Sequence, residues 1–252
     1  MKKVSYYLAL GLCSLTFLGS GIWYGYEQNF GNIKQEVLVQ EHKKTLSDLK
    51  VTDTESFDYQ KIKATVVEND QPDLTKKGVV SMPSLGIFLP IYNQPYSQKA
   101  LKLGAQQLPA TTGGNESYST AGQGNYILVA HNYSNGTQMF SALQQNLKND
   151  APYLVNGQKH DNNWLNGKSI YIANSAGVYE YQIDKQYIVS MTDLSVTKNT
   201  SSSELNILTC LEPSDSYRIV THGILTKRYS WQNASQQVLK YFNYSNSHRY
   251  NL

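Results

Sequence analysis

The chain has 252 residues, with 22 Lys and Arg against 19 Asp and Glu, a net charge of +3 and 16% charged residues. That length supports one ordinary domain with appendages, and a core of that size needs neither disulfide nor metal to hold it. The charge is spread without a basic stripe carrying interleaved aromatics, which argues against nucleic acid as a partner.

The N-terminus places Lys2 and Lys3 before an uncharged stretch from Val4 to Tyr26, long enough to cross a hydrocarbon core as one helix. The positive-inside bias then leaves everything after Tyr26 outside the cell, with Tyr6, Tyr7, Trp23, Tyr24 and Tyr26 at belt positions. The expectation is a retained transmembrane anchor over 1–26. Its rival is a cleaved signal peptide with a core at Leu8 to Leu18 and a small-residue site at Gly19-Ser20-Gly21. Either way the rest is exported. Cys13 falls in the apolar segment, so Cys210 is the one cysteine of the exported portion and no bridge forms within it. Such a thiol is either a small buried hydrophobe or a reactive group.

Residues 27–77 are polar with mixed charge, which predicts a helical or loose stalk with a solvated face. From Gly78, "GVVSMPSLGIFLPIY" is strand-like, with Pro83 and Pro90 marking edges or bulges. The stretch 104–124 is rich in Gly, Thr, Ser and Asn and predicts loop. "NYILVAH" is a short strand closing on His131, and "QMFSALQQNL" carries Met139, Phe140, Leu143 and Leu147 at helical spacing. Residues 156–168, with His160 and Trp164, have the look of an insertion. "KSIYIAN" and "GVYEYQIDKQYIVS" predict a hairpin around Asn174 to Gly177. A polar loop at 190–204 leads to the strand "LNILTC", then "LEPSDS", the strand "YRIVTHGILT" and a polar tail over 230–252. Many short strands, little helix and long loops predict an all-β barrel or sandwich. The abundant tyrosine, 20 residues, suits half-buried pleated surfaces.

Cys210 ends one strand and Arg218 begins the next, so hairpin pairing brings them to the same end of the sheet. His131 also ends a strand, and strand ends facing one rim are where clefts form. An imidazolium or guanidinium stabilises a thiolate, a histidine can protonate a leaving amine, and an arginine can hold an oxyanion. Together the three spell acyl transfer through a thioester. Taken singly, a strand-end histidine and an arginine are ordinary surface residues. His222 shares strand parity with Arg218 but lies about 13 Å further along the strand, and reads as structural.

The ordered blocks "MPSLGIFLPIY", "GNYILVAHN", "LNILTC" and the arginine strand "RIV", over residues 78 to 228, resemble the sortase family, specifically class A. Asn206-Ile207 in place of Thr-Leu, and Ala130 before the histidine, are mild departures. The resemblance implies a closed β-barrel of about eight strands with one or two short helices, occupying 78–229, and a groove at one end. It implies Cys210 as nucleophile, His131 as acid and base, Arg218 on the oxyanion, and Val129, Leu208 and Thr209 lining the groove. The implied substrate is an LPxTG-type sorting signal cut between Thr and Gly. Its acyl group would pass to an amine of a peptidoglycan precursor such as lipid II, outside a Gram-positive-type membrane.

No cofactor is expected. Some class A members bind calcium through loop carboxylates, but Glu116, Asp193 and Glu204 make a poor oxygen cage here. The absence of a second span and of an aspartate-aromatic lid points away from the pilus-building class. Papain-like peptidases order cysteine before histidine, and L,D-transpeptidases carry "HGC", so neither fits. The non-enzymatic alternative is an exported binding or adhesive module whose Cys210 is simply buried.

Overall fold

The structure, a computed structural model, describes residues 58–214 and 216–243. The expected membrane anchor and residues 27–57 of the stalk lie outside the described residues. Among the described residues no helix is long and apolar enough to cross a membrane.

Among the described residues twelve strands follow one another: β1 (Lys76–Met82), β2 (Ile87–Tyr92), β3 (Ala105–Leu108), β4 (Ala110–Thr112), β5 (Asn115–Ser117), β6 (Asn125–Val129), β7 (Leu154–Val155), β8 (Gln158–Lys159), β9 (Ser169–Ala173), β10 (Val178–Ser190), β11 (Glu204–Cys210) and β12 (Tyr217–Tyr229). Eight of them close into a barrel in the order β1-β2-β3-β6-β11-β12-β10-β9, with β9 returning to β1. The expected closed barrel is therefore present. Alternation fills it, since successive strand residues point to opposite faces. Val80 and Met82, Ile170 and Ile172, Tyr126 and Leu128, and Leu205 and Ile207 all meet in the interior core.

The β9–β10 hairpin turns on Asn174, whose Oδ1 accepts from the backbone N–H groups of Ala176 (2.9 Å) and Gly177 (3.2 Å). The stretch predicted as loop before residue 124 holds β3 and the small β4–β5 hairpin. Gly113 and Gly114, at φ 58° and 86°, supply its turn, because two consecutive positive φ angles suit the twist of a tight hairpin.

The packed unit is wider at both ends than the 78–229 span expected. Helix α1 (Tyr59–Val67) is N-capped by Asp58 and buries Ile62 and Val66, one turn apart. The Lys76 ammonium donates to the carbonyls of Thr65 (3.1 Å) and Glu68 (2.8 Å) at the helix end, where a cation suits the dipole. Burial lowers the pKa of that lysine. Past β12, Trp231 is buried and donates Nε1 to the carbonyl of Asn174 at 2.8 Å. Helix α3 (Gln236–Lys240) buries Val238 and Leu239, and Phe242 follows. Scattered apolar residues in these polar stretches are buried because they face one another across the outside of β1 and β9.

The helix predicted at "QMFSALQQNL" is only a single 3-10 turn, Ser141–Leu143, with Met139 at φ 51°. The four apolar side chains are buried as expected, but a tight turn satisfies one-sided burial as well as a helix does. Positive φ at Met139 stops regular helix there. The 156–168 segment forms part of the β7–β8 hairpin and then anchors on Gln186 of β10. Gln186, fully buried, accepts from Tyr153 Oη and Trp164 Nε1, both at 2.9 Å, and donates to Leu143 O and Thr221 Oγ1. Trp164 is therefore a packing residue, and His160 is exposed.

Candidate active site

On the outer face of the barrel, strand register stacks side chains in rows. Leu108, Ile127, Asn206 and His222 are register partners across β3, β6, β11 and β12. Two residues up each strand the row is Gln106, Val129, Leu208 and Val220, continued by Tyr187 of β10. Ile127, Leu208 and Val220 belong to one apolar cluster with Val189 and Val196, and Leu108, Val129 and Tyr187 pack against it. This cluster lies outside the barrel.

The next row up carries polar chemistry. Cys210 pairs with Arg218, which in turn pairs with Val189. The parallel register of Val129 with Leu208, extended by two residues, sets position 131 beside position 210. Hydrogen bonds hold that extension: Ala130 N donates to Leu208 O (3.3 Å), Thr209 Oγ1 to Ala130 O (2.9 Å), and Asn132 Nδ2 to Cys210 O (2.8 Å). Ala130 is buried in the interior core, so the following side chain is turned outward. His131, Cys210 and Arg218 thus occupy one rim on three adjacent strands, about 5 Å apart from strand to strand. All three are half-buried, so they are open to a substrate while partly screened from water.

Cys210 is not in a disulfide. The His131 pKa is lowered, first by burial and second by the Lys102 ammonium, so the resting imidazole favours its neutral form at neutral pH. Its ring rests against Tyr133 with centroids 5.3 Å apart. Arg218 donates Nη1 to the carbonyl of Tyr217 at 2.9 Å.

Among the expected groove residues, Val129 is half-buried and Leu208 buried, side by side in the row below the sulfur. Thr209 points the other way. It is 1% exposed and spends its hydroxyl on Ala130, because neighbours in a strand face opposite sides. Val220, Val189 and Val196, none of them among the expected residues, share the same buried apolar cluster. The period-two pattern joined to the hairpin register was the signal for Val220. Val196 sits on a one-turn 3-10 segment, Ser195–Thr197, held over the cluster by Asn125 Nδ2, which donates to Val196 O (2.9 Å) and Lys198 O (2.8 Å). Met191 and Leu194 in the same connection are 56% and 73% exposed, leaving apolar surface at the rim.

His222 faces the same side two rows down. Its Nδ1 meets Asp184 Oδ1 and its Nε2 lies 3.5 Å from Glu204 Oε2. It is a buried, carboxylate-flanked group remote from the sulfur. Among the described residues no group of three or more His, Cys, Asp or Glu gathers as a metal set.

A family model described as Sortase domain matches residues 80–226. Sortase A of Streptococcus agalactiae serotype III (strain NEM316) is 26% identical over 211 residues, which cover 79% of this chain and 75% of that protein. Sortase A of Bacillus anthracis is 29% identical over 186 residues, covering 68% and 76%. Among solved structures, sortase A of Listeria monocytogenes superposes with a TM-score of 0.50 at 22% identity. It covers 66% of this chain and 97% of its own, a likeness of fold.

Proposed function

The chain belongs to the sortase family of cysteine transpeptidases, which anchors LPxTG proteins to the cell wall, and from that premise we propose that it is a class A member. In this reading it cuts an LPxTG-type signal between Thr and Gly and joins the acyl group to a peptidoglycan precursor amine such as lipid II. The observation that supports this best is the single outward row of His131, Cys210 and Arg218 above the apolar cluster of Val129, Leu208 and Val220.

The Cys210 thiol gives its proton to the neutral His131 imidazole as the sulfur attacks the threonine carbonyl, and the carbonyl electron pair moves to oxygen, where the Arg218 guanidinium meets the charge. As the intermediate collapses the carbon–nitrogen bond breaks and His131 gives its proton to the glycine amine. The thioester then accepts the incoming amine, which loses a proton to His131 as the thiolate departs. Val129 and Leu208 take the apolar side chains of the signal, and the fully buried Val220 backs them from beneath. Thr209 serves by holding the end of β6 against β11, not by touching the peptide.

The N-terminal segment holds the enzyme in the membrane with its barrel outside. No calcium requirement enters this reading, because two of the three carboxylates have other partners: Asp193 Oδ1 accepts from Ser195 N at 2.8 Å and Glu204 faces His222. A binding module with an inert cysteine is the rival. It predicts that Cys210 in the native protein reacts with iodoacetamide only on denaturation, because reactivity follows thiolate fraction and access.

Mass spectrometry of the purified full chain, incubated with an LPxTG peptide and triglycine, is the direct test. The expected products are the free glycine-led fragment and the peptide joined to triglycine at threonine. If neither forms while a control sortase works, the proposal fails.

A further inference from the structure

A histidine that moves protons needs its ring held at a set height and direction, and in many sites a carboxylate bonded to the second ring nitrogen does this. Here, among the described residues, no side chain hydrogen-bonds the His131 ring; Tyr133 only packs against it. The sheet does not hold it either, because the β6–β11 ladder ends at the pairing of Val129 with Leu208. Beyond that point only single main-chain bonds remain, from Ala130 N to Leu208 O and from Phe140 N to His131 O, and side chains add the rest.

Two buried amides take over. Asn132, 6% exposed, donates Nδ2 to Cys210 O at 2.8 Å and to Gln144 Oε1 at 2.6 Å. Gln144, fully buried, also accepts at Oε1 from Glu212 N (2.9 Å), and donates Nε2 to Glu212 O (2.5 Å) and to Asn146 O. The segment that follows His131 is thereby clasped to the segment that follows Cys210. From the far side Phe140 N donates to His131 O at 3.1 Å, and Ser141 Oγ accepts from Tyr133 N at 2.7 Å. Of the bonds joining 130–132 to β11, the Asn132 bond is the one that ends on the residue carrying the sulfur.

We propose that Asn132, backed by Gln144, is a positioning residue that sets the imidazole of His131 in register with the sulfur of Cys210. This rests on the assignment of those two groups as acid and nucleophile. A shift of about 1 Å in such a pair costs on the order of 10²-fold in rate, and the loss falls on the chemical step.

The test uses the full chain in detergent, transfer of an LPxTG peptide to triglycine, the pH profile of kcat/KM, and iodoacetamide alkylation of Cys210 across pH. Asn132→Asp keeps the volume and removes both donations. It and Asn132→Ala are expected to lower kcat by roughly 10- to 100-fold with KM little changed and a displaced pH profile. Gln144→Ala leaves the bond to Cys210 in place but unbraces it, and should give a smaller loss of the same kind. Thermal melting of each variant accompanies the kinetics. Folded variants with the parent kcat and pH profile overturn the proposal. So does a loss that tracks melting temperature while the pH profile stays put. Cys210→Ala separates the two levels: if it still transfers, the functional reading falls; if it is dead while the Asn132 variants are unaffected, only the clasp falls.

Discussion

Over β1 and β9 the outward side chains Val79, Tyr171 and Ala173 are roofed by α1, α3, Trp231 and Phe242, whereas over β6, β11 and β12 the outward Val129, Leu208 and Val220 lie under one 3-10 turn carrying Val196. Both faces obey the same alternation and both are apolar. On the capped face the polar groups are consumed internally: the Glu180 carboxylate accepts from Ser169 Oγ (2.9 Å), Tyr171 Oη (3.2 Å) and Tyr229 Oη (2.7 Å). On the groove face, Cys210 and Arg218 stand half-exposed at the rim. In a barrel whose interior is filled, what distinguishes a site from a wall is how each outer face is closed.

The largest expected effect breaks the groove face without touching the capped one. Cys210→Ala should abolish transfer, a loss on the order of 10⁴-fold or more for a nucleophile acting as a unit with its partners, with melting nearly unchanged. Arg218→Lys should cost about 10²- to 10³-fold in kcat, since a point charge cannot reproduce the planar fork. The converse breaks the cap. Trp231→Ala should cost about 3–5 kcal/mol of stability, read as a lower urea midpoint, while kcat per folded molecule stays at the parent value. A drop in that kcat would show that the faces are coupled.

A smaller effect sharpens the comparison through pH. Burial alone would raise the Glu180 pKa, but hydrogen bonds from Tyr229 and Ser169, with Lys227 and Tyr171, outweigh it and the net shift is downward. The unfolded chain therefore binds the proton more readily, and this contribution to stability is full above the ordinary carboxylate pKa and lost as pH falls through the lower folded value. The urea midpoint of the parent should fall on acidification below about pH 5, and Glu180→Gln should flatten that slope. An unchanged slope would remove Glu180 from the account.

Much of the groove face is legible in the sequence, because hairpin offset and alternation are local. "LNILTC" and "YRIVTHGILT" give the pairing of Cys210 with Arg218 directly. Thr209 shows how adjacency in sequence misleads in a strand, where alternation itself turns it inward. Closure is not legible in the alternation, which a sandwich shares; only the family resemblance implies it, and the long-range pairing of β1 with β9, Val80 opposite Ile172, decides for a barrel. The cap is also hidden, since Ile62, Trp231 and Phe242 sit in polar stretches and are buried only by facing each other. Asn132 and Gln144 read as two more polar residues in a chain full of them. Their burial follows from where the β6–β11 ladder stops.

The smallest effect tests what the open face does to its own histidine. Burial is the main reason the His131 pKa is lowered, and the Lys102 ammonium adds to it. Lys102 is exposed, in the last turn of α2 (Gln98–Leu103), so its share is screened by salt. Lys102→Gln should move the His131 NMR titration midpoint upward by a small amount that shrinks as ionic strength rises. The burial contribution should hold the midpoint below the ordinary histidine value of about 6.5 in both proteins. Because the folded state disfavours the proton, acidification through that window should also weaken the fold slightly, and less so in the Lys102 variant. A midpoint at or above the ordinary value in the parent would mean that this rim is as wet as open surface. The contrast with the capped face would then rest on chemistry alone, not on burial.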